Sequence, residues 1–333
     1  MTLVLVVGKF LPLHRGHAFL LDRALEVAGP SGRLHVFVND RPQYTIPAEV
    51  RAEWVRSEYP AARLHVANDP WADSDSNGQA ANIRRILGRS PDVIVTSEDW
   101  ADPVSDILGC THLKVDPARA AIQIAATDIR GDPLGRWDML LASARAGLTR
   151  RVCLVGAEST GKSTLASALA DHYNTVWVPE YGRQYTLDKL AAGTNDRWST
   201  ADFEAIAHGQ HHAEDAAARI AGPVLFCDTD ALTTAVWHER YLATPSPEVA
   251  NVARRRRYDL RVICGTDIAW AADEIRFDAA GRAEMQARLR LEIEVVGGRF
   301  VDVVGSLDQR VTQVVEVVDQ LLTADSMFHP DRW

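Results

Sequence analysis

Two short stretches of the chain concentrate residues that can do chemistry. In residues 8–17, GKFLPLHRGH, His14 and His17 flank Gly16 a few positions after Lys9. Two imidazoles at this spacing could ligate a metal, form a buried pair or clamp a phosphate. A zinc site would want a third ligand at suitable spacing and usually a carboxylate or Cys nearby, and none is evident here. The run before Gly8 reads as a strand and the run after Gly16 as a helix. A helix start offers free N–H groups to an anion. Two imidazoles beside it, with the charge of Lys9, could steady a phosphate under attack.

The second stretch, GAESTGKST at 156–164, fits G-x-x-x-x-G-K-[ST] through Gly156, Gly161, Lys162 and Ser163. Small residues let the backbone wrap a phosphate, here with Glu158, Ser159 and Thr160 inside the loop and Thr164 behind it. Lys162 would reach the β- and γ-phosphates of ATP, and Ser163 would offer its hydroxyl to Mg²⁺. Ligands of open α/β sheets bind beyond the carboxyl ends of the strands. Glu180 ends TVWVPE, and Asp228 and Asp230 end VLFCDTD. A carboxylate after the second strand can take a proton from a hydroxyl, and one after the third can hold Mg²⁺ through water. Asp228 could equally cap the next helix. Arg276 and Arg282 flank FDAAG, where a lid could bring arginines onto the transferring phosphoryl; solvated surface arginines are the other reading.

These residues need elements to position them. Strand-like runs at 3–7, 33–38, 63–67, 92–96 and 112–115 alternate with helical patterns, and the rhythm restarts at 151–156, 175–180, 223–230, 260–265 and 299–305. Such a βαβ rhythm predicts parallel sheets with helices on both faces. A helical stretch over 136–148 bridges the two series. The expected architecture is therefore two α/β domains, 1–148 and 149–333. The length of 333 residues and 47% hydrophobic content suffice for two full cores.

A net charge of −9 argues against global attraction to nucleic acid or to an anionic membrane. The RRRRY run at 254–258 reads as a solvated helix end, since four consecutive arginines cannot share one helix face. Four dispersed cysteines without a CxxC pair fit a reducing cytoplasm. The N-terminal apolar run is too short for a signal or a membrane span. A cytoplasmic protein is expected.

With these residues in view, GKFLPLHRGH resembles the G-x-F-x-P-x-H-x-G-H signature of nucleotidylyltransferases, with Phe10, Pro12, His14, Gly16 and His17 in place. IQIAATDIRGDP at 122–133 is similar to the I-S-x-T-x-I-R signature of nicotinamide mononucleotide adenylyltransferases. Thr127, Ile129 and Arg130 match it, while Ala125 stands where serine is usual. A transferase followed by a P-loop kinase resembles the NadR-type bifunctional proteins of NAD salvage, and the likeness covers roughly 1–323. PEYGRQY (179–185), FCDTDALTT (226–234) and VVGSLDQR (303–310) look like recurring segments of that family's kinase half.

The resemblance implies a Rossmann-like nucleotidylyltransferase and a P-loop nucleoside kinase. The kinase would phosphorylate nicotinamide riboside with ATP. The transferase would join nicotinamide mononucleotide to ATP, giving NAD and pyrophosphate. It implies that Lys9, His14, His17 and Arg130 act on phosphates in the first domain, with Gly8, Phe10, Gly16 and Thr127 contacting ATP. In the second it implies Lys162, Glu180 and Asp228 as the working groups, with Mg²⁺ on Ser163 and Asp228. Asn39, Trp71, Trp100, Tyr181, Asp230 and Trp270 become candidates to face the nicotinamide substrates. An indole could stack on the charged ring, or serve only in packing.

Two other readings stand beside this one. One is a kinase whose transferase half is inactive or retargeted, prompted by Ala125; the other is an ATP- and NAD-sensing protein without turnover. An assembly of identical copies is expected by analogy alone. The sequence starts at the first transferase strand, so the helix-turn-helix repressor module of some members, and a role on DNA, are not expected.

Overall fold

Every strand ladder among the described residues is parallel. The structure is a computed structural model that describes residues 2–70, 74–194, 197–271 and 281–333. The chain forms two units: Met1–Ala144 with Ala324–Trp333, and Arg145–Thr323.

The first unit runs β1 (Leu3–Gly8), α1 (Arg15–Ala28), β2 (Arg33–Asp40), α2 (Ala48–Glu58), β3 (Arg63–Asn68), α3 (Ser76–Leu87), β4 (Val93–Thr96), α4 (Ala101–Leu108), β5 (Thr111–Lys114) and α5 (Ala126–Gly131). Helix α6 (Ala142–Leu148) carries the boundary to the second unit. The sheet order is β3-β2-β1-β4-β5. Leu5, Phe37 and Ile94 from the three central strands pack with Ala80, Ile83 and Val104 of α3 and α4. Local signals set the helix ends: Asp75 accepts from the Gly78 N–H to start α3, and Gly88, at φ 73°, ends it.

The second unit runs β6 (Arg150–Val155), α7 (Lys162–His172), β7 (Trp177–Val178), α8 (Tyr181–Ala191), α9 (Thr200–Ala218), β8 (Val224–Asp228), α10 (Ala231–Leu242), α11 (Pro247–Arg254), β9 (Leu260–Cys264), α12 (Arg282–Val296), β10 (Phe300–Val303) and α13 (Leu307–Leu321). Its sheet order is β10-β9-β6-β8-β7. Alternate residues of a strand face opposite sides, and here both faces are covered. Val152, Leu154, Phe226 and Val262 meet α7 and α13 on one side; Cys153, Val155, Leu225, Cys227 and Ile263 line the core of the other. That explains the continuous apolar runs in the sequence.

The division differs from the expected 1–148 and 149–333. It falls four residues earlier, and the segment containing α14 (Ala324–Met327) belongs to the first unit. The physical reason is packing: Met327 and Phe328 are buried, and the Trp333 ring meets Trp54 of α2 edge-on, 5.9 Å between centroids.

Candidate functional site

In the first unit the chain leaves β1 toward β2 and returns on the other side at β4. A crevice opens at such a reversal, beyond the carboxyl ends of the strands. A cavity of about 390 Å³ lies there. Gly8, Lys9, Phe10, His14, Gly16, His17, Asn39, Trp100, Thr127 and Arg130 all line it. Trp71 lies outside the described residues.

The two histidines are built into the start of α1. His14 Nδ1 accepts the Gly16 N–H at 3.1 Å, and His17 Nδ1 accepts the His14 N–H at 3.3 Å. The rings stack with centroids 3.8 Å apart. With each Nδ1 an acceptor, the hydrogen-bond pattern assigns the proton to Nε2. Burial, with Arg119 nearby, pushes His14 down to about 4. Burial and the neighbouring His14 push His17 well below its ordinary value. Both rings are therefore neutral N–H donors at physiological pH.

The surrounding frame is tight. A Cβ on Gly8 would come within 2.9 Å of the ring of Phe10, which is fully buried. Arg51, also fully buried, donates to the carbonyls of Ile46, Lys9 and Asn39 and pairs with Asp40. It ties the ends of β1 and β2 together, and nothing in the helical pattern of 48–58 marked it. Asn39 gives its amide to Asp69 at 2.9 Å, and Arg41 pairs with the same carboxylate at 2.8 Å. Both Arg41 and Asp69 line the cavity and were missed in the sequence. Arg130 donates to the Leu11 carbonyl. Ala125 lines the cavity and brings no hydroxyl to it.

In the second unit Gly156, Glu158, Ser159, Thr160, Gly161, Lys162, Ser163, Thr164 and Glu180 line a cavity of about 220 Å³. Gly161 takes φ 78°, a conformation that favours glycine, immediately before α7. Lys162 Nζ donates to the carbonyls of Gly156 and Ala157, each at 3.0 Å. The Ser163 hydroxyl donates to Asp228 Oδ2 at 2.5 Å. Asp228 Oδ1 is buried without a hydrogen-bond partner. A hydroxyl beside a buried carboxylate with an unused oxygen fits Mg²⁺, which takes one or two protein oxygens and fills its shell with phosphates and water. Among the described residues no cluster of three or more His, Cys, Asp or Glu offers another metal site. Burial raises the Asp228 carboxyl. Burial also raises Glu180 to about 7, with Lys162 opposing and Asp228 adding to the rise.

Three side chains brace the loop. Arg282 donates to the Ser159 and Ile268 carbonyls at 2.9 Å. Arg310 donates to the Thr160 carbonyl at 2.7 Å. Gln286 accepts from the Ala157 N–H and donates to the Cys264 carbonyl. Arg276 lies outside the described residues.

The substrate-facing candidates of this unit, unlike the P-loop residues, do not line this cavity. Asp230 is 1% exposed, and both of its oxygens are occupied. Oδ1 accepts from the Thr233 N–H and hydroxyl to cap α10, and Oδ2 accepts from Arg261 Nε. Tyr181 and Trp270 are not among the residues that line the cavity. Its aromatic wall is Trp198, Phe203, Trp237 and Tyr241. The signal for two of these was present: Thr233, Trp237 and Tyr241 recur every four residues and so share a face of α10.

Among the described residues no helix is long and apolar enough to cross a membrane. Fold and cavities together define a chain of two parallel-sheet α/β units, one with a cavity lined by paired histidines and one with a cavity at a P-loop. Known proteins share this organisation. Residues 151–310 match the AAA domain family. The chain is 30% identical to the trifunctional NAD biosynthesis/regulator protein NadR of Escherichia coli strain K12, covering 96% of this chain and 83% of that protein. It is 29% identical to the NadR of Salmonella typhimurium strain LT2, covering 95% and 82%. The chain belongs to the NadR family. Crystal structures of NadR protein in complex with NR, and with NAD and AMP-PNP, share its fold at TM-scores of 0.72 and 0.70. Their identities are 21% and 20%, with 96% of this chain and 95% of each structure covered.

Proposed function

We propose that the protein makes NAD in two steps, phosphorylating nicotinamide riboside in the second unit and adenylylating the resulting mononucleotide in the first. The carrying observation is that one chain of the NadR family holds two cavities, one lined by a P-loop with Glu180 and one by a helix start with two buried histidines. ATP is the co-substrate of both steps.

In the kinase step the 5′-hydroxyl of the riboside attacks the γ-phosphorus of ATP. The new O–P bond forms as the bond to the β-phosphate oxygen breaks, and ADP leaves. Glu180, held near 7 by burial, takes the hydroxyl proton. Lys162 and the loop N–H groups hold the phosphates. Mg²⁺, held by Ser163 and Asp228, would supply charge neutralisation on those phosphates.

In the transferase step a 5′-phosphate oxygen of the mononucleotide attacks the α-phosphorus of ATP, and pyrophosphate leaves. His14 and His17 donate through Nε2 to phosphate oxygens, while Lys9 and Arg130 add fixed charge. The product of the second unit is the substrate of the first.

A second reading keeps the kinase and assigns the first unit a weakened or retargeted transfer. Ala125, on the cavity wall without the usual hydroxyl, favours it. Incubating the protein with Mg²⁺-ATP and nicotinamide riboside, and following products by chromatography, separates the two. Mononucleotide followed by NAD is the expected result. Mononucleotide alone would select the second reading, and neither product from ATP-binding protein would overturn both.

A further inference from the structure

Glu180 stands at the N-cap position of α8 with an extended backbone, yet its side chain makes no capping bond. A capping side chain ordinarily accepts the second or third N–H of its helix, and Glu180 takes neither. The peptide next to Glu180 is instead held by another element. The Tyr181 N–H donates to Gln210 Oε1, on α9, at 2.9 Å. Gln210 is 1% exposed and lines the same cavity as Glu180.

The orientation of that amide is itself fixed. Gln210 Nε2 donates to Glu214 Oε1, one turn along α9, at 3.3 Å. Glu214 is fully buried and also accepts the Tyr258 hydroxyl at 2.8 Å. Arg151 and Arg256 stand 3.6 and 3.5 Å from its other oxygen and balance its charge. The Tyr181 backbone N–H can only donate, so the Gln210 oxygen must face it and the Gln210 nitrogen turns to Glu214.

We propose that Gln210 is a positioning residue of the kinase site: by holding the first N–H of α8, it fixes the peptide unit that joins Glu180 to Tyr181, and with it the direction in which the Glu180 carboxylate faces the P-loop. The inference rests on the reading of Glu180 as the proton acceptor. A purely structural glutamine would affect folding and binding, whereas a positioning one affects turnover.

The test compares Gln210→Met with Gln210→Glu in the full chain. Methionine keeps the shape and loses the acceptor. A carboxyl group beside buried Glu214 is driven to its protonated form, which still accepts from Tyr181 and donates to Glu214. Gln210→Met should lower the kinase kcat by about tenfold or more with the KM for ATP within about twofold, because the loss falls on orientation rather than binding. Gln210→Glu should stay within about threefold of the native kcat. Native kcat in Gln210→Met, or equal losses in both variants with a lowered melting temperature, would overturn the proposal. Should Gln210→Met fail to fold, Gln210→Glu decides: native-like kcat supports the proposal and a loss of about tenfold overturns it. Glu180→Gln, assayed in parallel, separates the two levels. Full activity there defeats the proton-acceptor reading; an inactive Glu180→Gln beside a fully active Gln210→Met defeats only the role of Gln210.

Discussion

Burial acts on the titratable groups of both sites, but in opposite directions. In the first unit it lowers the imidazoles of His14 and His17. In the second it raises the carboxyls of Glu180 and Asp228. The cause is the same, since a low-dielectric surrounding penalises whichever form is charged. The consequence differs with the group. A neutral imidazole remains a hydrogen-bond donor and suits a site that only holds phosphates. A carboxyl raised to about 7, as at Glu180, can take up and release a proton at working pH. One site is thereby insulated from pH and the other is tuned to it.

The strongest way to break this comparison is to show that the two sites are not separate. Lys162→Ala should lower ADP formation from the riboside by about a thousandfold, and His17→Ala should do the same to pyrophosphate release from the mononucleotide. Each should leave the other reaction intact; loss of both reactions from either substitution would refute the division.

The pH profiles sharpen it next. Glu180 must be ionised to accept a proton, and its value of about 7 lies above that of a free carboxyl. The kinase kcat should therefore fall about tenfold per pH unit below 7 and level off above it. The histidines are already neutral, so the transferase rate should stay flat between about pH 5.5 and 8. A transferase inflection near 6.5 would mean that the pair is solvated. The same shifts act on stability. Glu180 favours the fold below the unfolded carboxyl value, and that contribution is lost as pH rises toward and past 7. The histidine pair acts in the reverse sense: it disfavours the fold as pH falls below 6.5, when the unfolded chain binds protons first.

Smaller effects belong to the frame. Gly8→Ala would push a methyl against the buried Phe10 ring and should destabilise the first unit by about 1–3 kcal/mol. Calorimetry should then show its transition moving down while the ATP-dependent kinase assay is unchanged. Ala125→Ser should raise the transferase kcat/KM by about two- to tenfold, the worth of one hydrogen bond. No change would show that His14, His17 and Arg130 suffice on that wall.

Much of this was legible in the sequence because the signals are local. The P-loop, the histidine pair and the strand–helix rhythm each occupy a dozen residues or fewer, and their geometry follows from helix starts and strand ends. What escaped depends on distant partners. Arg51 sits inside an ordinary helical pattern, and only the fold shows that it joins the ends of two strands. Asp230 carries the residue type and the place of a site carboxylate, but Arg261, from a strand two positions away in the sheet, claims it. The aromatic wall of the second cavity escaped because Trp198 and Phe203 carry no motif of their own and reach the cavity from α9 and the residues before it.

The return of residues 324–333 to the first unit has a consequence for biogenesis. Trp54 waits for Trp333, and the ribosome must translate the entire second unit between them. Domains generally fold as they are made, the earlier one first. Here the first unit can begin folding first but gains its closing contacts only after the second unit has been synthesised. A truncated translation product that lacks the second unit therefore also lacks part of the first.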